Sequence, residues 1–142
     1  MDARNEAFGS ASRDESMSVP QEWPAHFPDC CPPSDASDLD CTVYYLVSKN
    51  PPEHSCFLSA KERDAFKGKN ECERASLSCG ISLEYISALR DSTPRLMEHY
   101  IAAARLRPSD GRFSQTGKPG HHSMWLRSAS LDQAPIKFTV IP

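Results

Sequence analysis

The sequence predicts one small α+β domain with a mostly antiparallel or mixed sheet, two short helices and a disordered N-terminal tail, and three observations carry that expectation. The chain has 142 residues, the size of a single ordinary domain. Twelve prolines against six glycines favour extended and looped chain over a large helical bundle. Segments of β-branched and aromatic residues alternate with capped helical patterns, which is the order expected of a small sheet carrying helices.

The first 22 residues hold almost no large apolar side chain and are rich in Ser, Asp, Glu and Arg, so they offer too little burial to offset the entropy of ordering. Residues 23–40 contain Trp23-Pro24-Ala25-His26-Phe27-Pro28 and Cys31-Pro32-Pro33, a proline-rich strap with apolar anchors. The folded α+β domain is expected over 41–142. It opens with Thr42-Val43-Tyr44-Tyr45-Leu46-Val47, uncharged and β-branched, the clearest strand in the chain and expected to be central. Ser59-Ala60-Lys61-Glu62 has the spacing of a capping box and predicts a helix over 59–66, broken by Gly68 and Asn70. A second strand follows at 75–79. Ser82 caps a helix whose Leu83, Ile86 and Leu89 recur on one face and which stops before Thr93-Pro94.

Residues 99–106 carry Ala102-Ala103-Ala104, which favours helix on propensity, but the turn signal at 107–112 favours a strand that returns at 112–116 as a hairpin. We read strand here. Ile136-Lys137-Phe138-Thr139-Val140-Ile141 predicts a closing strand.

Charge is unevenly distributed. Residues 1–40 hold two basic and nine acidic residues, 41–94 hold seven of each, and 95–127 hold six basic and two acidic. Such polarity implies either that the acidic segment lies over the basic one or that the basic one meets an anionic partner. No run approaches the roughly 20 apolar residues of a membrane helix, and the opening residues lack the apolar core of an export signal, so a soluble cytoplasmic protein is expected. In that compartment the six cysteines are expected to be reduced. Their spacings, Cys30-Cys31 and Cys72 to Cys79 among them, do not match a zinc site, so no metal is expected.

The most informative local sequence is Gly117-Lys118-Pro119-Gly120-His121-His122-Ser123-Met124-Trp125. Its glycines and proline fix a special loop, and its adjacent histidines, on extended chain, point to opposite sides. Either histidine suits proton transfer or contact with phosphate. The ligand-binding candidates are Tyr45, Arg112, Lys118, His121, His122 and Trp125. Cys79, before Gly80 and the Ser82 helix, is the cysteine placed nearest to an electropositive helix start. No Walker loop, nucleophile elbow, His-Glu-x-x-His or dinucleotide fingerprint is present. The basic residues of 95–127 are too sparse to form a dense nucleic-acid patch.

The Cys31-Pro32-Pro33 start and the Gly120-His121-His122-x-x-Trp125 motif resemble a group of small, uncharacterised bacterial proteins, over residues 31–141. The order of a tyrosine-bearing strand, a helix, a serine-containing strand and a helix also looks like the small ADP-ribosyltransferase-like fold. That second resemblance implies NAD as cofactor, with a His or Arg on the first strand, where this chain has Tyr44 and Tyr45. It also implies a catalytic Glu near the end, where Asp132 is the single acid of 111–142. With no complete catalytic constellation, the leading expectation is a bacterial accessory or immunity-type protein that binds a protein partner. The alternative is a small enzyme acting on NAD or another nucleotide through Tyr45, His121 and His122.

Overall fold

A computed structural model describes residues 22–142. The expectation of disorder over 1–22 therefore lies, apart from Glu22, outside the described residues. The rest is an α+β fold of two antiparallel sheets. One has the order β1-β5-β6-β3, from Ser37–Asp38 (β1), Gly111–Gln115 (β5), His122–Leu126 (β6) and Leu77–Cys79 (β3). The other has the order β2-β4-β7, from Cys41–Val47 (β2), Tyr100–Leu106 (β4) and Thr139–Val140 (β7). Four short α-helices accompany them: α1 (Glu71–Arg74), α2 (Leu83–Ser92), α3 (Ser128–Asp132) and α4 (Ala134–Lys137). No helix among the described residues is long and apolar enough to cross a membrane.

The inward residues of both sheets share one core. Val43, Tyr45 and Val47 of β2, Ala102, Ala104 and Leu106 of β4, Leu77 and Cys79 of β3, and Met124 and Leu126 of β6 alternate inward with the strand period of two. Tyr45 stacks on Phe57 at 5.1 Å, and Phe57 meets Phe138 at 5.4 Å. The alanines explain why 100–106 is strand against its helical propensity. Across the ladder Ala102 faces Tyr45 and Ala104 faces Val43, so small residues make room for large ones, and β7 pairs on the other side.

Four expectations about the secondary structure need correction. The turn after β4 exists, but β4 and β5 form no hairpin, because they enter different sheets. Asp110 holds that corner: its carboxylate accepts from the Arg107 backbone N–H (2.8 Å) and the Ser130 hydroxyl (2.7 Å) and pairs with Lys137 (3.2 Å). Next to it, a Cβ on Gly111 would lie 2.1 Å from the Trp125 carbonyl oxygen, so only glycine fits. β2, expected to be central, is an outer strand of its own sheet and touches the other through a single bridge, Tyr44 to Gly80.

The capping box also closes without a helix. The Ser59 N–H donates to Glu62 (3.0 Å) and the Glu62 N–H to the Ser59 hydroxyl (3.2 Å), but Asp64 and Phe66 adopt positive φ of 57° and 53°, which ends the turn. The helix forms instead at α1, where the Asn70 side-chain oxygen Oδ1 caps the N–H groups of Cys72 and Glu73. At the end of the chain, only Thr139–Val140 pairs as strand, since 134–137 is helical with Pro135 in its first turn and Lys137 reaching Asp110.

The cysteines are not all reduced. Cys31 and Cys72 form a disulfide with a Cα separation of 5.5 Å. Disulfides persist in oxidising surroundings, so this bond departs from the reduced thiols expected of a cytoplasmic protein.

Candidate functional site

β2 and β3 meet at Tyr44 and Gly80, then part. From that split opens a groove of about 490 Å³, in the size range of small-molecule and peptide sites. Its floor includes Leu46, Ser78 and Ser123, one wall is the 58–74 region ending in α1, and the other is α2 with the turn that follows it. Ser82 caps α2 by accepting from the Tyr85 N–H (3.1 Å), as its sequence position predicts, and the cap directs Ile86 and Leu89 to the groove. The loop at 117–120 is packed on the same helix. Gly120 has φ of 90°, and a Cβ there would sit 2.6 Å from the Tyr85 ring.

The charge of the lining is one-sided. Arg63, Lys69, Arg74 and Arg95 face a single carboxylate, Glu73. Arg74 is buried and already paired with Glu71 at 2.8 Å. That pairing, assisted by Lys61, lowers the pKa of Glu71. Arg63 and Lys69 lie over the half-exposed Phe66 ring, at 5.9 and 5.6 Å. Among the described residues, Arg63, Lys69 and Arg95 have no carboxylate partner. Hydroxyls of Ser48, Ser55, Ser78 and Thr93 complete the lining.

The structure brings Tyr45 and His121 to this groove and leaves the other candidates elsewhere. Tyr45 is only 8% exposed. One ring face stacks on Phe57 and the hydroxyl donates to the Cys56 carbonyl (2.6 Å), so the side chain has no free face for a base. Burial pushes its phenol pKa up. His121 points its Nδ1 at the Thr116 carbonyl (2.9 Å) and hydroxyl (3.1 Å), and because a carbonyl only accepts, Nδ1 donates to it. The Thr116 hydroxyl bonds in turn to the Ser123 hydroxyl (2.7 Å).

His122 turns to the opposite face and stacks on Phe113 at 5.5 Å. Arg112 meets Asp38 (3.4 Å) and donates to the Ala36 carbonyl, and Arg105 meets Asp40 (2.8 Å). Two acids of the strap, Asp38 and Asp40, thus lie against basic residues of the C-terminal half. Lys118 is exposed on the loop. Trp125 is 1% exposed and is core. It packs with Cys31 and Ala36, against Trp23, Phe27 and Cys72, and its indole N–H donates to the Cys72 carbonyl (2.9 Å).

Cys79, nominated by its place before a helix, is buried, and desolvation pushes its thiol pKa up. The cysteine at the groove is Cys56. Burial opposes its thiolate, but backbone hydrogen bonds at Glu53, Ser48 and Lys49 and the Ser48 hydroxyl outweigh that, so its pKa is lowered. Its side-chain neighbour is Ser48 (3.8 Å) and not a histidine.

Sequence reasoning passed over Arg63, Lys69 and Arg95. The balance of seven bases and seven acids across 41–94 hid Arg63 and Lys69, since Glu73 is the single carboxylate of that segment that lines the groove, and Arg95 was counted only within the sparse basic segment of 95–127. Comparison with protein-family models, curated proteins and solved structures returned no match.

Proposed function

We propose that this protein is a binding protein that holds an acidic segment of a partner protein in the groove between β2 and β3. The observation that carries this reading is a set of cations, Arg63, Lys69 and Arg95, that have no carboxylate partner among the described residues and line a groove with a single carboxylate, Glu73. Cations that have been left unpaired on a concave wall supply attraction and orientation to an anionic partner. The alternative, an enzyme acting on NAD, asks Tyr45 to stack a base and His122 to join His121. The buried Tyr45 ring and the outward His122 offer that reading less support.

The test is binding of a fluorescein-labelled decaglutamate by anisotropy, beside titration with NAD. Binding of decaglutamate is expected, weakening with added salt. It should fall at least tenfold in Arg63→Glu/Arg95→Glu and stay unchanged in Lys118→Ala, which lies outside the groove. Binding of NAD without decaglutamate would replace this reading with the nucleotide one.

A further inference from the structure

The groove has an unusual floor: it lies where an antiparallel ladder stops after one pair. Tyr44 and Gly80 exchange both backbone hydrogen bonds, Tyr44 N–H to Gly80 carbonyl at 2.8 Å and Gly80 N–H to Tyr44 carbonyl at 3.0 Å. In such a ladder the next pair to exchange bonds stands two residues on, Leu46 opposite Ser78. The backbone groups of Leu46 and Ser78 point the same way as those of Tyr44 and Gly80, away from β4 and β6. Yet β2 and β3 have separated by then, and no backbone hydrogen bond joins Leu46 to Ser78. Ser78 is exposed in the middle of β3, and both residues line the groove. Open strand edges of this kind are templates for an added strand unless they are covered.

We infer that the groove takes its partner by strand addition: a short, extended, acidic segment of another protein pairs its backbone with the open edge at Leu46 and Ser78 while its carboxylates meet Arg63 and Arg95. This rests on the protein-binding reading above and specifies how the partner is held. Strand edges recognise backbone amides at ladder spacing, which a peptide presents and a nucleotide does not. Charge complementarity selects an acidic peptide. It also favours a separate partner over residues 1–21 of the same chain, where two arginines offset two of the four carboxylates.

The experiment uses the ¹⁵N-labelled full chain and an octapeptide of alternating Asp and Val, compared with the same peptide N-methylated at every amide and with a Lys-Val counterpart. The Asp-Val peptide should bind, slow exchange of the Leu46 and Ser78 amide protons at least tenfold, and lose at least tenfold in affinity on N-methylation. The Lys-Val peptide should not bind. Equal binding of the N-methylated peptide would overturn strand addition while leaving the acidic-groove reading in place, and failure of both the Asp-Val peptide and decaglutamate would remove both. Leu46 and Ser78 amides already protected in the free chain would also overturn the inference. Protection that survives dilution would give the edge to residues 1–21, and protection lost on dilution would give it to a second copy.

Discussion

Trp125 and Ser123 stand on the same face of β6, two residues apart, and their surroundings differ completely. At Trp125 the face is covered. The strap lays Phe27, Cys31 and Ala36 against the indole, Trp23 stacks under Arg127 at 4.3 Å, and the Cys31–Cys72 disulfide ties the strap to α1. Ser123 is equally buried, but its hydroxyl bonds to that of Thr116 and it lies at the groove, whose lining has hydroxyls and cations beside the apolar side chains and an open strand edge. One face of one sheet is thus shared between an apolar cluster under the strap and the groove proposed to take a partner. The disulfide joins the two regions, because Cys72 lies in the helix that also carries Glu73 and Arg74 to the groove wall.

The largest effects are expected on the covered side. Trp125→Ala should cost about 4 kcal/mol, the range for removing a fully buried indole. Cys31→Ser/Cys72→Ser should cost about 3 kcal/mol, since the bond closes a long loop in the unfolded chain. The two losses should sum to more than the triple variant loses, because the Trp125 indole donates to the Cys72 carbonyl and both changes loosen the same strap. Urea unfolding of the four proteins measures all three quantities. A Trp125→Ala cost under about 1 kcal/mol would mean that the strap leaves this face, and the contrast with the groove would disappear.

Much of this division was legible in the sequence, in unequal parts. The strap showed itself through Trp23, Phe27 and its prolines, and the strand at 42–47 and the helix after Ser82 followed from β-branching and a cap, which are local signals. The reading went astray where tertiary contacts decide. Ser59 and Glu62 make their capping box and the helix still fails to propagate, because residues 64 and 66 turn to positive φ. The 107–112 turn sends its two strands to different sheets because Asp110 is gripped by residues 20 and 27 positions away, Ser130 and Lys137. The groove was invisible for a related reason. Net charge by segment cannot show which side of a wall Arg63 occupies, and Tyr45, on an alternating strand, had to face either core or solvent.

A smaller effect tests the corner that holds the covered side together. Burial works against the Asp110 carboxylate, but the Arg107 N–H, the Ser130 hydroxyl and Lys137 outweigh it and hold its pKa below the usual carboxylate value. A depressed folded-state pKa contributes stability that is present above the unfolded value and is lost as pH falls through the folded one. Asp110→Asn should therefore cost about 2 kcal/mol at neutral pH, and the gap should close as the pH drops below about 4, where Asp titrates in the unfolded chain. Denaturant midpoints between neutral and strongly acid pH give the comparison. Parallel curves for the two proteins would mean that the carboxylate gains nothing from its charge there.

The smallest effect belongs to the groove. Arg63→Gln/Arg95→Gln removes two exposed cations that have no carboxylate partner among the described residues, so no buried partner is stranded there and little packing is given up. The stability of this variant should stay within about 0.5 kcal/mol of the parent by urea unfolding. Relief of repulsion among Arg63, Lys69 and Arg74 would move it upward, and loss of the Arg63 contact with Phe66 would move it down, both by small amounts for exposed groups. A cost above about 1 kcal/mol would show that these arginines hold the wall itself, as Arg74 does through Glu71 and the Ala65 carbonyl. Both regions of this face of β6 would then be structural, and the loss of acidic-peptide binding in charge-reversed variants would have to be read as a loss of fold.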